Sequence, residues 1–94
     1  MYAQVTGIKV KPEFVAEFPK IAEQFAGLHK AQKGFVRQTL LVDEESGEGL
    51  ALSLWETKED QDAAVAVCVR ELQKSSGMLI EEPTLKAYKV AYKD

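Results

Sequence analysis

Apolar and polar residues change period several times along this chain, and each change marks an element. Residues 2–10, YAQVTGIKV, are rich in β-branched side chains and alternate, with Val5 on one face and Ile8 and Val10 on the other. That period of two predicts a strand. Pro12 ends it and suits a first helical turn, followed by the acidic Glu13. Phe14, Phe18, Ile21, Phe25 and Leu28 then recur at spacings of four and three, one stripe of an amphipathic helix over about residues 13–32. Pro19 lies inside it and lacks the N–H a helix interior needs, so a kink or split is expected near Glu17–Phe18. Lys30 and Lys33 suit the negative end of the helix dipole, and Gly34 is the expected stop.

FVRQTLLVD, residues 35–43, predicts a second strand, EESGEG at 44–49 a turn, and LALSLWE at 50–56 a third strand, together a hairpin. Simple alternation places Arg37 and Thr39 with Phe35 and Leu41, and Gln38 with Val36, Leu40 and Val42. Thr57 is the expected N-cap of a second helix over about 58–75, with Glu59, Asp60 and Asp62 near its positive end. Val65, Cys68, Val69 and Leu72 form its apolar stripe, and Gly77 suits its C-terminal cap. After Pro83, TLKAYKVAYK at 84–93 predicts a fourth strand with Tyr88, Val90 and Tyr92 on one face. The order βαββαβ predicts a ferredoxin-like α+β domain over residues 1–94: a four-stranded antiparallel sheet with two helices on one face. The other face carries apolar residues too, and no helix remains to cover it, so a second subunit is expected there.

Composition removes several function classes. Twelve basic against fifteen acidic residues, with no basic cluster, argue against nucleic acid as a partner. No apolar run reaches the roughly 18 residues of a membrane span, and the alternating N-terminus does not resemble a signal peptide; a cytoplasmic location is the expectation. One cysteine, Cys68, and one histidine, His29, exclude an intrachain disulfide and a Cys/His metal site of three or four ligands within one chain. Asp43-Glu44-Glu45 is read as a solvated turn rather than a carboxylate site. No cofactor and no metal are expected.

Gly34-Phe35 opening strand two, LWETKED at 54–60 closing strand three into a capped helix, and IKVKPE at 8–13 passing from strand to helix resemble the antibiotic biosynthesis monooxygenase (ABM) domains. The resemblance spans Ala3 to Tyr92. It implies a homodimer whose sheets pack face to face into an α+β barrel, with a pocket between each sheet and its own helices. It implies an activity among cofactor-independent oxygenases of polycyclic phenols, quinol monooxygenases and haem-degrading enzymes; many members have no known activity. The haem-degrading members use an Asn on strand one and a Trp and a His on helix two. Those places here hold Thr6, Ala64 and roughly Lys74, and neither Ala64 nor Lys74 is a usual axial donor. Quinol-oxidising members often carry histidines along helix two, where this chain reads DAAVAVCVREL.

Candidate chemistry is therefore sparse. His29 is the default acid–base group by its pKa, although a surface histidine at a helix C-terminus is the simpler expectation. Cys68 falls on an apolar stripe and is expected to behave as a small hydrophobe. Trp55 is expected to lock strand three against helix two as a packing residue. The catalytic candidates are His29, Tyr88 and Arg37. Thr6, Gln38 and Trp55 are the candidates for contact with a small aromatic ligand. Tyr2, Gln4 and Tyr92 can add polar groups to such a cavity. The expected function is metal-free oxygenation of a phenol or quinol, with a non-catalytic binding or structural dimer as the alternative and haem degradation disfavoured.

Overall fold

The structure, a computed structural model, describes residues 1–74, 76–92 and 94. Four strands, β1 (Tyr2–Lys9), β2 (Phe35–Asp43), β3 (Glu48–Trp55) and β4 (Thr84–Lys89), form one antiparallel sheet in the order β2-β3-β1-β4. Helices α1 (Phe18–Lys30) and α2 (Lys58–Lys74) each connect two strands that have a third between them. Both lie on the same face, where His29 of α1 and Cys68 of α2 wall one cavity. This is the ferredoxin-like fold expected from the element order.

The proline in the first helical stretch divides it. Pro12–Glu17 is a 3-10 helix and α1 begins at Phe18, with Pro19 in its first turn, where a missing N–H breaks no bond. Thr57 caps α2 as expected, its Oγ1 accepting from Asp60 N at 3.1 Å. Gly34 (φ 83°) takes the left-handed conformation between α1 and β2.

Other boundaries differ from the sequence expectation. β3 starts at Glu48, two residues early, because the turn closes within Glu44–Gly47: Asp43 Oδ1 accepts from Glu45 N at 3.0 Å, and Gly47 N donates to Asp43 O at 2.9 Å. β4 stops at Lys89 because its one neighbour, β1, starts at Tyr2, opposite Lys89; Val90 and Tyr92 lie beyond the ladder. Gly77 sits in a short 3-10 turn, Ser76–Met78, without positive φ, so it is not a left-handed cap. Ser75 and Lys93, the expected last residues of α2 and β4, lie outside the described residues.

Register sets the two faces. Tyr2, Gln4, Thr6 and Ile8 pair with Trp55, Ser53, Ala51 and Gly49, and this set faces the helices. Ala3, Val5, Leu50, Leu52, Leu54, Leu41 and Tyr88 share the opposite, uncovered face, where Leu41 and Tyr88 are about half exposed at 51% and 48%. β2 carries a bulge at Val36: Phe35 pairs with Trp55, but Arg37 already pairs with Leu54. The extra residue reverses the alternation. Phe35 therefore joins Gln38 and Leu40 on the helix face, contrary to the expectation from alternation alone, and Arg37 keeps company with Thr39 and Leu41 on the other.

Candidate functional site

The layer between sheet and helices is unusually polar for a domain this small. Beside Val10, Phe18, Trp55, Ala64, Cys68 and Leu72 it buries Gln4, Thr6, His29, Ser53 and Gln61. Buried polar groups cost free energy unless bonded, so each partner matters. Within this layer lies a narrow cavity of about 40 Å³, walled by Thr6, His29, Gln38, Ser53 and Cys68 together with aliphatic and phenyl groups such as Ile21, Phe25 and Leu40. Three larger and more open grooves, of about 550, 570 and 350 Å³, run beside Pro83, across the Asp43–Glu48 end of the sheet and between Phe18 and Leu40, and among the described residues none has a histidine or cysteine in its wall. The inner cavity is the candidate site.

His29 is 6% exposed, not a surface residue. Its place was legible: four residues after Phe25, it continues the α1 stripe as well as Leu28 does, three after. Phe25, Phe35 and Trp55 surround the ring, with centroids at 6.2, 6.5 and 5.5 Å, Trp55 edge-on at 82°. His29 Nδ1 donates to Gln38 Oε1. That bond fixes the tautomer and leaves the lone pair on Nε2. Burial lowers the imidazole pKa below its usual 6.5, and the Gln38 bond opposes this only in part. The ring is therefore neutral at pH 7, a state able to take a proton.

Trp55 is fully buried and donates from Nε1 to Ser53 Oγ at 2.9 Å. Its rings meet His29 on α1 and Phe35 on β2, at 5.5 Å each. Its ring partners thus lie on α1 and β2, beside the α2–β3 packing that the sequence led one to expect. Thr6 lines the cavity and hydrogen-bonds the Cys68 thiol, whose pKa is raised by burial; the cysteine is a protonated packing group, as expected.

Of the six candidates, the fold gathers His29, Gln38, Thr6 and Trp55 in one layer. Arg37 and Tyr88 are not brought to it. Arg37 is exposed on the uncovered face because of the Val36 bulge, and Tyr88, also on that face, carries Lys86 Nζ 5.2 Å from its ring centre. Tyr92, 83% exposed, bonds Asp94. Gln4, expected to add a polar group to a cavity, is buried in this layer, whereas Ser53 and Gln61 were not singled out from the sequence. The signal available for Gln4 and Ser53 was parity, since both stand two residues from others on the helix face. Gln61 had none beyond its position in the first turn of α2.

The chain's likenesses agree with this layout. A family model described as antibiotic biosynthesis monooxygenase (ABM) matches residues 1–66. No curated protein matches significantly. Among solved structures, a protein of unknown function from Nitrosomonas europaea superposes with a TM-score of 0.83 at 13% identity, covering 99% of this chain and 91% of that one. A conserved protein from Methanosarcina mazei gives 0.78 at 19%, covering 94% and 90%. SnoaB, a cofactor-independent oxygenase from Streptomyces nogalater, gives 0.76 at 18%, covering 98% and 94%. At such identities the superpositions speak for the fold.

Proposed function

Since the chain belongs to the antibiotic biosynthesis monooxygenase family, we propose that it is a cofactor-independent oxygenase of a phenol or quinol, acting as a homodimer. The observation that carries this reading is the buried His29–Gln38 pair in the wall of the sheet–helix cavity. Neutral His29, held in one tautomer by Gln38, takes the proton of the bound phenol or quinol through Nε2. The anion that results is electron-rich enough to reduce O₂ directly. One oxygen atom is inserted at a ring carbon and the other leaves as water; all four electrons come from the substrate, so no external reductant is needed. Phe25 supplies an aromatic wall, Phe35 and Trp55 back the His29 ring, and burial limits the water that reaches the anion. Tyr88 and Arg37, on the uncovered face, have no part in these steps; that face is the one proposed to meet the second subunit, burying Leu41, Leu50 and Tyr88.

A cavity of about 40 Å³ holds roughly a water or two. An aromatic ring needs on the order of 150 Å³, so binding must widen the space between α1 and the sheet. That narrowness favours a second reading, a dimer that binds a small ligand or none and catalyses nothing. Haem degradation is not supported. At the helix-two positions that matter, Ala64 is buried with no donor and Lys74 is exposed, its Nζ 3.0 Å from Glu71.

Oxygen consumption on a panel of hydroquinones and anthrones, with chelator present, separates the readings. The oxygenase reading expects one O₂ per product in the parent and a loss of about 10²-fold or more in His29→Phe. No uptake with any member of the panel, or uptake unchanged in His29→Phe, refutes it.

A further inference from the structure

The cavity beside His29 has two unlike ends. Gln38 and Ser53 stand side by side in the β2–β3 register, and Gln38 holds the His29 ring there. Two residues along the strands, about 7 Å on, Thr6, Ala51 and Leu40 form the next rank. Ile8 follows one rank further, beside Gly49. Helix α2 runs the same way: Gln61 donates to Gln4, Cys68 bonds Thr6, and Leu72, one turn later, lines the far end. On α1, Ile21 lies two turns before His29 and beside Phe18, whose ring reaches the Gly49 rank: a Cβ at Gly49 would stand 2.9 Å from Phe18 and 3.2 Å from Ile8.

His29 and Ser53 thus mark a polar end, and Ile8, Ile21 and Leu72 an apolar one. At the apolar end Thr6 and Cys68 are already bonded to each other, and the wall offers no other polar side chain. A water needs two to four polar partners, and apolar cavities stay dry and take apolar guests instead. The volume, about 40 Å³, admits a guest of about two heavy atoms. Small side chains keep this space open. Ala51, between Thr6 and Leu40, is its floor, and Ala22 on α1 is part of the opposite wall.

We propose that the apolar end of the cavity is a binding pocket for a small apolar gas, dioxygen, held beside the ring that His29 deprotonates. Dioxygen carries no charge and no hydrogen to donate, so dispersion contact with Ile8, Ile21 and Leu72 is what it can use. The rank spacing sets it about 7 Å from the His29 end, roughly the reach of one phenol ring. Its use as a reactant rests on the oxygenase reading; its binding does not.

Methyl NMR under dioxygen pressure tests the pocket directly, because the paramagnetic gas speeds relaxation of the protons it touches. The methyls of Ile8, Ile21 and Leu72 are expected to gain several-fold more relaxation than those of Leu41 and Val42, which are exposed. Ala51→Val adds carbon to the floor and is expected to remove that excess. It is also expected to raise the KM for O₂ about tenfold relative to its effect on the KM for a hydroquinone. Ala22→Val serves if Ala51→Val fails to fold, and xenon, a gas of the same class, is expected to compete with O₂ in the parent. Relaxation spread evenly over the buried methyls, or an excess that survives both substitutions, overturns the pocket even where His29-dependent uptake stands. A variant that loses the excess yet keeps the parental KM for O₂ overturns the dioxygen role. An excess abolished by Ala51→Val in a protein that consumes no O₂ with any substrate supports the pocket and removes the oxygenase reading.

Discussion

Trp55 offers the sharpest test of how this domain is held together. Its ring is fully buried, meets His29 and Phe35 at 5.5 Å each near edge-on, and donates to Ser53 at 2.9 Å. Replacement by alanine removes roughly 200 Å² of buried aromatic surface, about 5 kcal/mol at 25 cal/mol/Å², and partial collapse brings the expected loss to about 3–5 kcal/mol. Replacement by phenylalanine keeps one ring contact and most of the area. It deletes the indole bond, but Ser53 keeps its own O–H to donate, so about 1–2 kcal/mol is expected. A 94-residue domain has about 5–14 kcal/mol in all, so Trp55→Ala stands near the limit of folding and Trp55→Phe well inside it. The assay is urea unfolding followed by far-UV circular dichroism, since both substitutions remove the only tryptophan. Losses below about 1 kcal/mol for alanine refute the burial argument. A phenylalanine variant of parental stability that has lost turnover refutes the packing role and makes the indole N–H chemical.

His29 links stability to pH. Its folded pKa lies below the unfolded value because of burial, so the folded protein binds fewer protons than the unfolded chain just below pH 6.5. The stability from the neutral ring is whole above about 6.5 and is lost as pH falls through the folded pKa, at up to about 1.4 kcal/mol per pH unit. Urea midpoints should fall more steeply for the parent than for His29→Phe in that window, and an imidazole that titrates above 6.5 by NMR refutes the assignment. Gly47→Ala should cost at least about 1–3 kcal/mol: φ is 80° and a Cβ would stand 2.5 Å from the Val10 backbone oxygen. Parental urea stability would contradict this. Leu50→Glu on the uncovered face should convert a dimer to a monomer in sedimentation at micromolar concentration, and a parent that sediments as a stable 10.4 kDa monomer refutes the face as an interface.

By itself the sequence determined the order of elements, and through it the topology. Period, proline positions and the Thr57 cap are local properties, and strands, helices and the split at Phe18 follow from neighbours a few residues apart. It also determined that Cys68 and Trp55 are interior groups, because each sits in an apolar or alternating run. What it did not determine is which polar side chains the interior accepts. The Val36 bulge is one added residue, yet it reverses the parity of β2, bringing Phe35 to His29 and turning Arg37 away. Tyr88 went to the uncovered face because β4 takes its register from β1. Gln4 and Gln61 are 57 residues apart, and nothing local pairs the one with the other. Burial of a polar group depends on what stands opposite it, and only the docking of α1 and α2 on the sheet supplies that opposite wall.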